Sequence, residues 1–415
     1  MPKTLYICYF GLRQPLVQTQ VIPYLLEIRK GGIEIILLTF EPNFNTDWTH
    51  EQIENERKAL REKGIDWHCL PYHKTPSAIA TTYDILNGAW FINRMIRREN
   101  IDILHARVHV PMLMGAIARK FSRNKPKLLF DIRGFFPEEY TDAGVWPENG
   151  WLYRTTKRVE KWLMAQAHGF VVLTEKAREI LFPESKATGR DKLGRPVEVI
   201  PCCVDFAARF AGDGGSLRAK IRRELDVEDR FVYTHVGALG GLYLTENIAD
   251  FLESARFRDA STFALFLTQT DPNLIIPLLK NRGFADSDFF VGRVAPTEIP
   301  AYLHASDAGL SFVKAGYATQ SRSPTKIPEY LACGLPIIAN PGVGDVDSLI
   351  LEDCVGVLVK DFTPESYLHA LVEIERLSTR PEMAAICRAS ALKRFDLKSV
   401  GGERYRLLYN KLLGR

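Results

Sequence analysis

The strongest constraint on this chain is a rhythm. Short apolar runs of strand length recur at 5–9, 33–40, 65–69, 103–106, 128–132, 170–173 and 197–200, with helical patterns between several of them. A second series follows at 231–236, 263–267, 289–291, 309–313, 335–339 and 355–359. Runs that are apolar along most of their length are what parallel strands show when helices cover both sheet faces. Strands alternating with helices give a doubly wound α/β sheet, so two series predict two Rossmann-like units. At 415 residues the chain is too long for one ordinary core and fits two domains of about 200 residues each. We expect the first domain over 1–208 and the second over 209–395, with the composition of 211–215, Ala-Gly-Asp-Gly-Gly, marking a linker. The polar stretch 183–195 reads as a flexible loop, and 17–29 as one helix.

Composition excludes several classes. A net charge of +4 and a pI near 8.5 are far from the basicity that argues for nucleic acid, so none is expected as a partner. No apolar run approaches the roughly 20 residues needed to cross a bilayer. Seven cysteines, without disulfide or zinc spacing, read as ordinary thiols in a reducing compartment, and no metal site is expected. The first residues run straight into a strand without a leader pattern, so the expected location is cytoplasmic. Two basic segments interleave with apolar residues: Arg94, Arg97 and Arg98, then Arg119, Lys120, Arg123, Lys125 and Lys127. Such helices can dock on anionic lipid at the inner face of a membrane, a peripheral contact. Much of the apolar stripe must face the core, which favours a solvated face.

The stretch 321–345, SRSPTKIPEYLACGLPIIANPGVGD, carries the densest chemistry. Ser323 reads as a helix cap with Pro324 at the first helical position, and Arg322 and Lys326 add charge to a helix start that attracts anions. Phosphate is the natural guest. Glu329 lies three residues after Lys326 on the same helix face, where a carboxylate accepts from hydroxyls beside that phosphate. The turn at Gly237 after a strand permits close backbone approach, and Arg293 ends another strand. In the first domain Asp131, Arg133 and Glu138 follow an apolar strand at the edge where open α/β sheets bind ligands. His105, Arg107 and His109 are candidates for the same place. Gly11 offers a wall without a side chain, and Gln14, Gln18 and Gln20 offer hydrogen bonds to sugar hydroxyls.

The run Ser323-Pro324-Thr325-Lys326 with Glu329-Tyr330-Leu331-Ala332, then Cys333-Gly334-Leu335-Pro336-Ile337, resembles the donor-site motif of retaining nucleotide-sugar glycosyltransferases of family 4. Further likeness lies at 131–139, 171–176, 200–205 and 237–243. The resemblance implies the GT-B fold, two Rossmann-like domains facing each other across a cleft, with the helix at 396–415 packing back on the first. It implies a metal-independent enzyme without a cofactor, taking a nucleotide-diphosphate sugar as donor and a glycan or lipid-linked glycan as acceptor, in cell-surface polysaccharide or glycoconjugate synthesis. Lys326, Arg322 and Glu329 would form the catalytic donor site, with Gly11, Gly237, Arg293, Ser323 and Thr325 binding the donor. Asp131, Arg133 and Glu138 would meet the sugar or acceptor. Ser321 stands where the commonest form of the motif has its first glutamate, and Ala238 where many members carry arginine. A nucleotide-sugar epimerase of the same architecture, or a sugar-nucleotide binding subunit without catalysis, therefore remains open beside the transferase.

Overall fold

The computed structural model describes residues 1–75, 77–210 and 214–415. These form two compact units: Met1–Pro201 together with Leu397–Arg415, and Cys202–Asp396. The described residues of the first unit build a seven-stranded parallel sheet from β1 (Lys3–Cys8), β2 (Glu34–Glu41), β3 (Ile65–Pro71), β4 (Ile103–Arg107), β5 (Lys127–Asp131), β6 (Gly169–Val172) and β7 (Val197–Val199). Their order is β3-β2-β1-β4-β5-β6-β7. The second unit has six parallel strands, β8 (Val232–Val236), β9 (Phe263–Leu267), β10 (Phe289–Gly292), β11 (Ala308–Ser311), β12 (Ile337–Ala339) and β13 (Gly356–Leu358), in the order β10-β9-β8-β11-β12-β13. Each sheet reverses winding direction once, at β1/β4 and at β8/β11. Open α/β sheets bind ligands outside the carboxyl ends of their strands at such a reversal.

The apolar runs became strands because helices cover both faces. β4, β6, β8, β9 and β11 are buried at every position. One layer of the first unit holds the helices Ser77–Glu99, His109–Lys120 and Trp151–Gln166 side by side. The C-terminal helix Glu403–Leu413 belongs to the first unit, as the resemblance implies, and is held there by two tyrosines one turn apart. Tyr405 and Tyr409 are both buried, and the Tyr409 hydroxyl meets Thr4 Oγ1 at 3.1 Å and His105 Nδ1 at 2.9 Å.

Three local expectations change. The helix expected over 17–29 is two, Pro15–Gln20 and Ile22–Arg29, broken at Val21. Pro23 lacks the N–H that a continuous helix needs, and a new start places it in a first turn where that N–H has no use. The stretch 183–195 is a built turn rather than a flexible loop. It contains a short helix Ser185–Thr188, and Asp191 accepts from Leu193 N and Arg195 N while pairing with the Arg195 guanidinium at 2.6 Å. The units part at Pro201 rather than at 208, because 202–209 is tied into the second unit: Val204 N donates to Phe395 O, and Asp205 caps the helix Phe206–Arg209. Of the expected linker, residues 211–213 lie outside the described residues, and Gly214 and Gly215 open the helix Gly214–Glu224.

Candidate functional site

At the β8/β11 reversal of the second unit, β8 ends in His235 and Val236 and the chain turns at Gly237. Gly237 has φ +120°, a conformation that side chains rarely adopt. The following loop runs back against the segment after β11: Tyr243 bridges Val313, Leu244 N donates to Phe312 O, and Lys314 N donates to Leu242 O. This pairing sets the Tyr243 ring beneath Lys326, whose Nζ lies 4.4 Å from the ring centre. A Cβ on Gly237 would sit 3.6 Å from the same Nζ.

Lys326 is 4% exposed, and among the described residues no carboxylate pairs with it. Its nearest polar neighbour is His235 Nε2 at 3.3 Å, a nitrogen that also lies 3.1 Å from Ala238 O. Loss of solvation pushes the ammonium down to about 7. Burial, and then the nearby lysine charge, holds His235 well below the ordinary histidine range, so the ring is neutral. The result is a cation that, among the described residues, has no counter-ion, resting on a π face against a backbone turn with no side chain. Arg322 lies close enough for its charge to act on Tyr243. One turn further along, Glu329 accepts from Arg209 at 2.6 Å. Burial raises the Glu329 carboxyl, and Arg209 offsets part of that rise.

Ser323 does not cap the lysine helix. That helix spans Lys326–Ala332, no side chain caps it, and Ser323 Oγ accepts from Cys202 N at 3.1 Å. Pro328 explains the shift: a start at Lys326 keeps it within the first turn, whereas a start at Pro324 would put it where its N–H is needed. Thr325, just before the helix, is exposed. Arg293 stands apart at the end of edge strand β10, exposed and donating to Gln269 O at 2.8 Å.

In the first unit the candidates at the ends of β4 and β5 form a buried cluster. Asp131 is fully buried and takes the Arg133 guanidinium on both oxygens, with Nη2 to Oδ2 at 2.9 Å and Nε 2.8 Å from Oδ1. His105 Nε2 and the Tyr405 hydroxyl reach Oδ2 at 3.3 and 3.1 Å, and Arg107 Nη1 lies 4.0 Å away. Burial alone would raise the Asp131 carboxyl, but Arg133, His105 and Arg107 hold it well below the usual carboxylate range. Burial outweighs Asp131 at His105 and keeps that ring neutral. Two guanidiniums therefore share one carboxylate. Glu138 is turned to Lys157 at 3.0 Å and to the Tyr153 hydroxyl at 3.1 Å, and His109 to Glu160 at 3.0 Å. Gly11 is required by its own surroundings, since a Cβ there would meet Pro42 Cδ at 2.7 Å. Gln18 donates to Leu12 O at 2.7 Å.

Residues 27–208 match the family model of Glycosyltransferase Family 4. The first unit thus resembles that family over most of its length. Solved glycosyltransferase structures share the fold over the whole length. A Rickettsia africae glycosyltransferase aligns over 99% of both chains at 16% identity with a TM-score of 0.70. Anabaena HepE in complex with UDP aligns over 99% of both at 17% identity and 0.66. Sucrose-phosphate synthase from Thermosynechococcus elongatus covers 100% of both at 13% identity and 0.71. A search of curated protein sequences found no match. The resemblance read from the motifs and the GT-B type of fold are thus borne out.

Sequence reasoning missed Tyr243, His235, Arg209 and Tyr330. Tyr330 is buried at the reversal, where its hydroxyl accepts from Val236 N at 2.9 Å and donates to Leu310 O at 3.2 Å, tying β8 to β11. Only its position one residue after Glu329 signalled it. Tyr330→Phe leaves a buried amide without a partner, an expected cost of about 1–3 kcal/mol. Urea unfolding checks this; an unchanged midpoint would show that the hydroxyl does not hold the strands together.

Proposed function

We propose that this chain is a retaining, metal-independent glycosyltransferase that moves a sugar from a nucleotide-diphosphate sugar to a hydroxyl of a glycan or lipid-linked glycan. The observation that carries the reading is the buried Lys326 ammonium, without a carboxylate partner among the described residues, beside the Gly237 turn at the β8/β11 reversal. As the glycosidic bond breaks, the leaving diphosphate gathers negative charge, and a preplaced cation in a desolvated site favours that state over the ground state. Lys326 and Arg322 supply the charge, so the reading requires no metal. Glu329 anchors the ribose, the acceptor hydroxyl attacks on the face the phosphate leaves, and the configuration is retained. HepE has been solved with UDP-glucose, which makes uridine diphosphate sugars the first donors to test. Cell-surface polysaccharide or glycoconjugate synthesis in the cytoplasm fits such an acceptor.

The test uses the purified chain and a panel of nucleotide sugars, read first by thermal shift and then by transfer. For the donor that binds, affinity is expected to be flat below pH 7 and to fall about tenfold per pH unit above it. The sign follows from Lys326, which is half deprotonated in the free protein near pH 7 and must regain its proton to meet the diphosphate. The diphosphate of a nucleotide sugar has no titration of its own in that range. No stabilising nucleotide sugar, or an affinity unchanged from about pH 6 to 9, defeats the assignment of Lys326. Binding without hydrolysis or transfer to any acceptor favours the binding subunit, and release of an altered donor without acceptor favours the epimerase.

A further inference from the structure

The helix Ser77–Glu99 in the first unit carries a face that the fold leaves mostly exposed, with the Tyr83 ring packed edge-on against His73. Its inner face is buried through Ala80, Asp84, Gly88, Ile92 and Ile96. On the outer face Ile79, Tyr83, Leu86 and Trp90 follow at steps of four, three and four residues, so they lie in one stripe, and they are 70, 56, 59 and 62% exposed. A monomeric chain seldom leaves four large apolar side chains in one continuous row in water. The same face then becomes basic, with Arg94, Arg97 and Arg98 exposed and the Arg94 guanidinium 5.8 Å from the Trp90 ring centre.

The neighbouring helix extends this surface. Asn93 donates to Ala118 O, and a Cβ on Gly88 would touch Met114, so the two helices run in the same direction and end side by side. Just beyond the end of His109–Lys120, Phe121 is 70% exposed, flanked by exposed Lys120, Arg123 and Lys125. The acids in the first helix are turned elsewhere: Asp84 is buried against His73 and Tyr9, and Glu99 pairs with Lys3 at 3.2 Å. The surface therefore joins an apolar stripe to a cationic end without an opposing carboxylate on the helix face.

We propose that this face docks on an anionic lipid bilayer, with Ile79, Tyr83, Leu86 and Trp90 seated at the acyl boundary and the arginines and lysines on the headgroup phosphates. Anionic headgroups over an acyl layer complement both parts of the surface, while among the described residues no helix is long and apolar enough to cross a membrane. The docking does not depend on which donor or sugar the chain uses.

Flotation with vesicles tests it. The purified chain is expected to float with phosphatidylcholine vesicles containing about one-third phosphatidylglycerol, far less with phosphatidylcholine alone, and less as salt is raised. Leu86→Glu with Trp90→Glu, and separately Arg94→Gln with Arg97→Gln and Arg98→Gln, should each lower the bound fraction about tenfold or more. Phe257→Glu, at a 95% exposed site on the second unit, should change nothing. All these positions are exposed, and unchanged melting confirms folding. Absence of flotation with anionic vesicles overturns the proposal. So does self-association that Trp90→Glu abolishes in the absence of lipid, which would make the face a contact between two copies.

Discussion

Lys326→Met is expected to make the protein more stable at pH 7 while removing its response to nucleotide sugar. Burial depresses the Lys326 ammonium from 10.5 to about 7, and among the described residues no carboxylate compensates it. For a base whose folded value is depressed, the unfolded chain holds more protons than the folded one between those two values. Stability therefore rises with pH across about 7 to 10.5, and the penalty is present in full below 7. At pH 7 that penalty is roughly 4 kcal/mol, since each tenfold loss of proton affinity is worth about 1.4 kcal/mol and the side chain is nearly dry. Methionine keeps most of the length and leaves an apolar side chain near Tyr243 without the charge, so the melting temperature should rise by about 5–10 °C. On the proposed function the same change removes the charge that would meet the diphosphate, and donor affinity should fall about 100-fold or more, near 2.7 kcal/mol. The wild-type disadvantage should shrink toward pH 10. A variant that melts lower than wild type at pH 7, or still shifts with the wild-type donor, would sink this account of the lysine.

This trade of stability for a ready cation also shows what the sequence could reveal. Lys326 was legible because its motif, its helix and its glutamate lie within one short segment, and proximity along the chain is what sequence displays directly. The strands were legible for a related reason: Phe263–Leu267 is apolar at every position because both faces of β9 are covered, and that pattern is local. What surrounds Lys326 was not legible. His235, Tyr243 and Arg209 come from segments about 80 to 120 residues away, and only the winding of the second sheet gathers them. Ser323 shows the opposite failure. A good cap in isolation yielded to Pro328 four residues beyond Pro324, because a missing N–H decides where a helix starts more firmly than a serine does. The outward stripe on Ser77–Glu99 could not be told from a core stripe, since periodicity gives a face but not the direction it points.

Asp131 is the case in which sequence and structure pull toward different roles, and its removal separates them. Its motif placed it with Arg133 at the sugar or acceptor, while its geometry makes it the one carboxylate, among the described residues, facing the buried guanidiniums of Arg107 and Arg133. Asp131→Asn keeps the shape but removes the charge facing two guanidiniums, which only donate and cannot pair with an amide N–H. Breaking a buried ion pair from one side costs about 3–5 kcal/mol. The loss should also loosen the helix Glu403–Leu413, because Tyr405 gives its hydroxyl to the same oxygen as His105 and Arg133. Protease cleavage near the C-terminus, beside urea unfolding, reads both effects. The acid dependence has a fixed sign. The Asp131 carboxyl is held below its unfolded value, so its contribution is complete above about pH 4 and fades only below that. His105 is kept neutral, so stability from that side is already lost as pH falls below about 6.5. If excess charge is the cause, adding Arg133→Met to Asp131→Asn should restore part of the lost stability despite removing a second contact. Asp131→Asn that melts like wild type but fails to transfer sugar would instead make this carboxylate an acceptor ligand, and the charge-balance explanation would fall.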